Sequence, residues 1–426
     1  MPLKPEVRKL PGGLRLIVSR DDTAPVVAIC LWIRVGSRDD PSGKTGLAHL
    51  FEHLMFQGST HVPANGHTAA IEDGGGFTNA STGFERTTFY SVVPVGMLDL
   101  VLWLEADRLG GMLDALTPES LDNQRSVVLN ERRERYDNVP YGTGWERLLA
   151  QSFPPGHPFR DLPAGRPEDL ATVTEDDCGA FFRRHYRPDR ALLGVVGDVD
   201  PDTVAKLVER HFGHLPPHLP ELPAEPWPTA PRPPAEPRRR LTERAPGPAL
   251  MGAYQLPPHG EAAGEAADLA VTLLGGMSSR GLHHRLVRTD QLAHRARSSV
   301  MPLYAAPSLC RLDVRALPGA DLALVEKAVD EETERLVDRG VTVRALKGAQ
   351  AQLRRDWLDR LAHPGSRAEE LCAQEAYFGN AAGIDDRLER LAALTVDEVR
   401  SAAATHLAPG NRAVLTYEPD ADGAAG

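Results

Sequence analysis

Cysteine is scarce in this sequence. The 426 residues include four cysteines, Cys30, Cys178, Cys310 and Cys372, which lie far apart and form no Cys-x-x-Cys pair. Neither a thiolate metal site nor a framework of disulfides is therefore indicated. We expect the four side chains to be small, buried, apolar groups.

Long apolar runs are also lacking. No stretch approaches the ~18 apolar residues that a membrane-spanning helix needs. The N-terminal run MPLKPEVRKLPGGLRLIVSRDD has neither the apolar core of a signal peptide nor a small-residue cleavage site. We therefore expect a cytoplasmic protein that does not bind a membrane.

Positive charge is not in excess. The 48 Lys and Arg residues against 59 Asp and Glu residues give a formal net charge of -11. A nucleic-acid-binding surface is typically basic, so we expect no nucleic-acid partner. The apolar share of 42% is ordinary for a globular protein. The length predicts two domains of about 200 residues each.

A proline-rich run divides the chain. Residues 216–240 read PPHLPELPAEPWPTAPRPPAEPRRR. Because proline lacks an N–H donor and has a fixed φ, such a run fits neither a helix interior nor a central strand. We predict an N-terminal domain over residues 1–217, an extended linker over 218–240 and a C-terminal domain over 241–426.

The two predicted domains carry similar patterns. Residues 170–199 and 391–420 each read as a Thr-capped helix, a proline turn and a buried strand. Residues 87–109 and 310–336 each read as a strand, a proline and a long helix. Within each half, some neighbouring strands are joined by short turns. The patterns predict an α+β fold of two homologous domains, each a mixed, largely antiparallel sheet with helices packed on one face.

One helix carries a candidate metal site. The segment TGLAHLFEHLMFQG, from Thr45 to Gly58, has apolar residues at helical spacing. His49 and His53 are four residues apart, so both imidazoles lie on one face and can bind the same metal ion. Glu52 lies on the same side and can act as a general base toward a water molecule without being a ligand.

A third protein ligand is needed, because catalytic zinc usually has three ligands and a water. The preferred candidate is Glu131, in a second helical, charged segment that starts near Thr117. Glu134, one turn further along, is the alternative. In the second half, the region that echoes the zinc helix, DLAVTLLGGMSSRG, has no pair of ligand residues at helical spacing. We therefore expect one Zn²⁺ per chain.

The motif HLFEH resembles the inverted zinc motif of the pitrilysin/insulinase peptidases. Other runs resemble segments of that family in the same order: GGGFTNASTGFERTTFYSVVP from Gly74, SLDNQRSVVLNERRERYDNVPYG from Ser120, SFPPGHPFR from Ser152 and GGMSSRGLHHRLVRTDQLAH from Gly275. The resemblance covers nearly the whole chain and places the third ligand at Glu131. The length is similar to that of the mitochondrial-processing-peptidase-like branch, which has one pair of homologous domains.

The resemblance also implies how substrate binds. Two bowl-like halves would enclose a chamber that admits short or unfolded peptides. A peptide substrate would add as a strand to a sheet edge near Phe77, Asn79 and Ala80. Family members of this length generally pair, so a homodimer or a heterodimer with a related subunit is expected.

Three positions bear on how closely the chain follows the family. Gln124, seven residues before Glu131, stands where the family commonly has a second Glu that supports the site. Arg288 matches a substrate-binding Arg, and His294 stands near the position of a substrate-binding Tyr. One interpretation of these differences is that the substrate-binding Arg and Tyr come from another chain.

The leading hypothesis is a zinc-dependent endopeptidase. One alternative is a non-catalytic or partner-dependent subunit of a heterodimeric peptidase, although this would predict eroded zinc residues. Another is a dedicated peptidase that matures one peptide, for instance by removing its leader.

Overall fold

The structure is a computed structural model that describes residues 3–215, 237–243, 245–260 and 262–420. The strands are β1 (Glu6–Lys9), β2 (Arg15–Arg20), β3 (Val26–Ile33), β4 (Phe77–Thr82), β5 (Thr87–Pro94), β6 (Ala191–Gly197), β7 (Arg238–Glu243), β8 (Ala249–Leu256), β9 (Ala293–Met301), β10 (Ser308–Ala316) and β11 (Arg412–Pro419).

The α-helices are α1 (Leu47–Leu54), α2 (Gly66–Asp73), α3 (Leu98–Ala115), α4 (Pro118–Arg132), α5 (Gly144–Ser152), α6 (Pro167–Leu170), α7 (Glu175–His185), α8 (Pro201–Phe212), α9 (Ala262–Val271), α10 (Leu322–Arg335), α11 (Val343–Ala362), α12 (Pro364–Phe378), α13 (Arg387–Ala393) and α14 (Val396–His406). In the described residues, four segments are π-helical: Arg133–Asp137, Thr272–Gly276, His283–Thr289 and Leu336–Gly340.

The chain forms two compact units, and each draws on both halves of the sequence. The described residues of unit 1 are 3–131, 162–215 and 357–387. Those of unit 2 are 132–161, 237–243, 245–260, 262–356 and 388–420. Two segments, 132–161 and 357–387, therefore belong to the unit built mainly from the other half, which local sequence patterns did not indicate.

The two units contain sheets that share a topology of five strands, to which sheet 1 adds β1 at one edge. Sheet 1, in unit 1, has the strand order β1-β2-β6-β3-β5-β4, and sheet 2, in unit 2, has the order β7-β11-β8-β10-β9. In each sheet one strand pair is parallel, β2 with β6 and β7 with β11, and the other pairs are antiparallel. The prediction of two homologous domains with mixed, largely antiparallel sheets is confirmed.

The predicted repeats occupy equivalent positions. Thr174 and Thr395 begin α7 and α14 with a reciprocal capping box, and each helix is followed by a proline turn and a buried strand. The other pattern gives β5 followed by α3 and β10 followed by α10. Local sequence signals for caps and turns were therefore sufficient to identify these elements.

Both faces of sheet 1 are covered. Alternate residues of β3, including Val27, Ile29 and Leu31, lie in the core that contains α1 and α3. The intervening residues face α12, where Trp32 contacts Tyr377 edge to face at 5.9 Å. All four cysteines are buried, as predicted. In unit 2, α5 packs on one face of sheet 2, and the core with α9, α10 and α14 lies on the other.

The predicted linker is mostly outside the described residues, which resume at Pro237. Arg238–Arg240, at its predicted end, begin strand β7 and pair with β11. The domain boundaries at 217 and 241 remain a prediction. Among the described residues, no helix has both the length and the apolar character needed to cross a bilayer.

Candidate metal centre

The N-terminus of α1, the helix that carries His49 and His53, is held in place by the Asp40 side chain. The helix begins at Leu47 rather than Thr45, because Gly46 adopts a left-handed conformation with φ 93°. The Asp40 carboxylate accepts hydrogen bonds from the N–H groups of Gly46 (2.7 Å) and Ala48 (2.8 Å). These bonds satisfy amides that a helix start leaves without intrahelical partners. His49 therefore follows an anchored first turn.

The apolar face of α1 is buried, as its sequence predicts. Leu47, Leu50, Phe51 and Leu54 are at most 1% exposed. The Phe51 ring packs against Phe181 of α7 at a centroid distance of 5.5 Å and against Tyr186 at 4.8 Å. This packing fixes the rotation of α1 about its axis. The opposite side of the helix, with both histidines, is only partly covered.

The structure brings the three predicted ligands together. His49 Nε2 lies 3.7 Å from one carboxylate oxygen of Glu131, and His53 Nε2 lies 3.3 Å from the other. The two imidazole rings lie 4.9 Å apart at an interplanar angle of 85°. In the described part of the chain, these residues form the one group of three potential ligands whose atoms all lie within 4.8 Å of one another.

Helix α4 supplies the carboxylate. Glu131 lies near its C-terminal end, and the chain then continues as a π-helical turn over Arg133–Asp137. Glu134, the alternative ligand, is exposed in that turn and is not part of the group. Gln124 is buried two helical turns before Glu131 and so lies on the same face of α4.

Glu52 lies beside this group in a partly buried environment. Burial raises the pKa of its carboxyl above the ordinary value, while a hydrogen bond from the Thr82 hydroxyl and the nearby His53 act in the opposite direction. Glu52 Oε2 is buried and has no hydrogen-bond partner among the described groups. A desolvated carboxylate oxygen of this kind accepts a proton more readily than an exposed one, which suits a general base.

The candidate substrate strand lies at the edge of sheet 1. Strand β4 contains Phe77, Asn79 and Ala80 and pairs with β5 alone. Phe77 is 54% exposed and packs beside Tyr90 at 6.3 Å. The Ala80 N–H donates to the Asn79 side-chain oxygen at 2.8 Å. A peptide that uses this amide must displace the Asn79 side chain.

A polar ring that sequence patterns did not reveal supports β4. Arg86 donates to the Ser81 carbonyl (2.8 Å) and hydroxyl (2.7 Å), and it forms an ion pair with Glu369 of α12 at 3.1 Å. Thr88 closes the ring through Ser81 at 3.1 Å and Glu369 at 3.4 Å. The separation of 281 residues between Thr88 and Glu369 explains why no local pattern could indicate this contact.

The other two predicted substrate-binding residues lie in unit 2. Arg288 is exposed in the π-helical segment His283–Thr289. His294 is exposed on β9, where the register with β10 shifts between Arg315 and Ala316. Such a bulge re-aims one side chain of a strand. The substrate roles of all these residues remain predictions.

The donor set fits zinc. Two imidazole nitrogens and one carboxylate oxygen are three protein ligands, which is typical of catalytic zinc. In a tetrahedral site with ligands at about 2.0–2.1 Å, two donor atoms lie roughly 3.4 Å apart. The separations of 3.3 and 3.7 Å from Glu131 to the histidines are close to this value. Small adjustments of the side chains would therefore be enough to bind the ion.

Two family models match the sequence. The model of the insulinase family, peptidase family M16, matches residues 15–149 and so includes His49, Glu52, His53 and Glu131. The model of the peptidase M16 inactive domain matches residues 172–353.

The curated relatives include named zinc proteases. The zinc protease PqqE of Helicobacter pylori is 31% identical over 76% of this chain and 74% of its own length. An uncharacterised zinc protease of Mycobacterium leprae is 28% identical over 92% of this chain and 87% of its own length. The mitochondrial-processing peptidase subunit beta of Blastocladiella emersonii is 29% identical over 50% of this chain and 45% of its own length.

Solved structures show the same fold. A protease from Helicobacter pylori superposes with a TM-score of 0.91 at 25% identity and covers 98% of this chain and 100% of its own. Pitrilysin superposes with a TM-score of 0.78 at 19% identity and covers 98% of this chain but 45% of its own. With 31% identity to a zinc protease over three quarters of both chains, this chain belongs to the pitrilysin/insulinase family of zinc peptidases, peptidase family M16.

Proposed function

We propose that this protein is a zinc-dependent endopeptidase that cleaves short or unfolded peptides. In this proposal His49, His53 and Glu131 hold one Zn²⁺ per chain, and Glu52 is the general base. The observation that carries the proposal is the convergence of three ligand atoms within 4.8 Å beside the buried carboxylate oxygen of Glu52. Gln124, on the same face of α4 as Glu131, would help to orient that ligand by a hydrogen bond.

The chemistry divides between the ion and the side chains. A zinc ion supplies Lewis acidity, which polarises a scissile carbonyl and lets water lose a proton near neutral pH. Glu52 takes that proton at a carboxylate oxygen and then delivers it to the amine nitrogen that leaves. The three ligands are half-buried, which limits water around the reacting groups while leaving room for a peptide.

The peptide would bind as an added strand on β4. Edge strands expose backbone groups to a partner strand, so affinity comes from main-chain hydrogen bonds with little demand on sequence. Phe77 offers an exposed ring to a substrate side chain. On the basis of the family resemblance, the proposal also includes a chamber that encloses the peptide and contacts to it from Arg288 and His294.

Zinc analysis combined with peptide cleavage tests the proposal. We expect Glu52→Gln to keep one zinc per chain and to lose nearly all cleavage of a quenched peptide, because the base is removed and the ligands remain. His53→Ala should lose the zinc. Glu72→Gln, an exposed acid on α2, makes the same change away from the site and should alter neither. Wild-type cleavage by Glu52→Gln, or a full zinc complement in His53→Ala, would refute the assignment.

The proposal includes pairing with a second subunit and a cytoplasmic location. A relative that is named a subunit, the mitochondrial-processing peptidase subunit beta, supports an assembly. If the partner supplies substrate-binding groups, cleavage should rise when a related subunit is added. Full activity of the purified chain as a monomer would remove the partner from the proposal.

A further inference from the structure

One face of sheet 2 carries a concentration of arginines. Helix α5 packs on β8 and β11, and on the same face β9 and β10 present Arg295, Arg297, Arg311 and Arg315. The Arg311 guanidinium lies 4.5 Å from the centre of the Trp145 ring of α5, so these arginines are on the face of sheet 2 that α5 covers. Arg295, Arg297 and Arg311 are exposed. We call these four residues the arginine face.

The arginine face contains one acid, Asp313, whose single negative charge does not balance the four arginines. Asp313 lies 3.1 Å from Arg295 and 2.7 Å from Arg315. These two arginines are directly opposite each other on neighbouring strands, so the single carboxylate of Asp313 is shared between two cations. Four guanidinium groups and one carboxylate leave a local charge of +3 in a chain whose net charge is -11.

The fold itself does not require these charges. The equivalent face of sheet 1, on β4 and β5, presents Phe77, Asn79, Ser81, Thr88 and Tyr90, and Arg86, in the turn between these strands, is paired with Glu369. Since the two sheets share one topology, the arginines of sheet 2 are not needed to build it. An excess of positive charge on one face that the homologous sheet lacks is consistent with a role in binding an anionic partner.

We propose that the arginine face binds an acidic segment of the peptide substrate. Guanidinium groups pair with carboxylates through two parallel hydrogen bonds, so a segment rich in Glu or Asp matches this surface. Strand β9 also carries His294, so the face continues from a residue predicted to contact substrate. The inference rests on the proposed function in naming the ligand a substrate, but binding itself needs no cleavage.

Fluorescence anisotropy of the intact chain tests binding directly. The probes are two labelled peptides of equal length, one containing a run of glutamates and the other the same run as glutamines, and the protein carries Glu52→Gln so that zinc stays bound while cleavage is prevented. We expect the glutamate peptide to bind about tenfold more tightly at low ionic strength. This advantage should shrink as salt is added, because exposed charges are screened.

Variants assign the binding to the face. Arg297→Gln combined with Arg311→Gln should abolish the advantage, whereas Arg311→Lys, which retains the charge, should keep most of it. Arg400→Gln combined with Arg355→Gln is the matched control, since it also removes two positive charges and neither residue belongs to the arginine face. Equal affinity for both peptides would overturn the proposal, and so would an equal loss in this control, which would indicate a general effect of net charge.

Two further outcomes are informative. Salt-dependent self-association that the double variant of the arginine face abolishes would assign the face to a second copy of the chain and overturn the peptide assignment. Because binding is measured without turnover, its absence would leave peptide cleavage at the zinc site untouched. Conversely, a chain without peptidase activity that still prefers the glutamate peptide would retain the arginine face as a binding site while refuting the proposed function.

Discussion

Sheets 1 and 2 have the same strand topology but are followed by different helices. After β3, helix α1 presents His49, Glu52 and His53 on a partly exposed side. After β8, helix α9 has a buried apolar face on which Leu269 and Ala270 are fully covered, and its two acids, Glu265 and Asp268, are not part of a metal-ligand group. In the described residues, the metal-ligand group therefore belongs to unit 1.

This difference shows that the scaffold does not depend on the site. Unit 2 forms the same order of five strands without a metal-ligand group among its described residues. The model of an inactive domain matches residues 172–353, which include β8 and α9 but not α1. We infer that the proposed chemistry in unit 1 is added to a fold that is stable without it. Variants of matched residues can test how far the two units differ.

The largest effect is expected at Glu131. Glu131→Gln removes a charged ligand, and we expect a loss of about 100-fold or more in kcat/KM on a quenched peptide, with weaker zinc binding in a chelator competition. Glu134→Gln makes the same change at an exposed position one turn further along. It should leave both measurements near wild type. Equal losses in the two variants would reject Glu131 as the specific ligand.

Among the described residues, each unit has one arginine with no exposed surface, and the two lie in different surroundings. Arg412 in unit 2 is fully buried and contacts Glu326 at 2.7 Å and Asp330 at 2.6 Å. Arg108 in unit 1 is also fully buried, between the Phe56 and Phe89 rings at 4.8 Å each. Its nearest acid, Glu105, is 3.6 Å away. Burial raises the pKa of the Glu105 carboxyl, which makes it easier to protonate than an exposed acid.

These surroundings predict unequal losses of stability. Arg412→Met leaves Asp330 without its ion-pair partner and Glu326 with Arg238 alone, and it should destabilise unit 2 by about 3 kcal/mol. Arg108→Met loses two cation–π contacts but also removes a poorly compensated buried charge, so a change of about 1–2 kcal/mol or less is expected. Hydrogen exchange followed by mass spectrometry, with peptides from each unit, provides the measurement. A larger loss for Arg108→Met would contradict this account.

Acid should act strongly on unit 1. Burial, with a contribution from Arg190, lowers the pKa of His185 to about 3. Between pH 6.5 and about 3 the unfolded chain binds a proton at this residue that the folded chain does not, so stability falls as the pH falls. One such proton corresponds to about 1.4 kcal/mol per pH unit.

His185→Phe should remove this dependence. The ring packing against Phe181, at 4.7 Å in the native protein, is largely retained, while the titrating group is lost. Denaturant unfolding of unit 1 between pH 6 and 4 should therefore depend less on pH than in the wild type. His284→Phe, at an exposed position in unit 2, is the control. Unchanged slopes in His185→Phe would show that the buried imidazole does not account for acid sensitivity.

Local patterns in the sequence predicted much of the fold. The spacing of His49 and His53 placed both on one helical face, and the Thr-capped repeats gave equivalent helices in both units. The meeting of Glu131 with the histidines required the family resemblance, because their separation in sequence has no periodic signal. The exchange of residues 132–161 and 357–387 between units was not predicted. Which sheet a helix covers depends on the packing of distant side chains.

The smallest expected difference lies in the repeat itself. The Thr174 hydroxyl accepts from the Asp177 N–H at 3.2 Å, and the Thr395 hydroxyl accepts from the Glu398 N–H at 3.3 Å. Thr174→Ala and Thr395→Ala should each destabilise their unit by about 1 kcal/mol. The corresponding serine variants keep the acceptor and should recover most of the loss. If hydrogen exchange shows that one alanine variant destabilises its unit while the other does not, the two caps have the same geometry but do not contribute equally to stability.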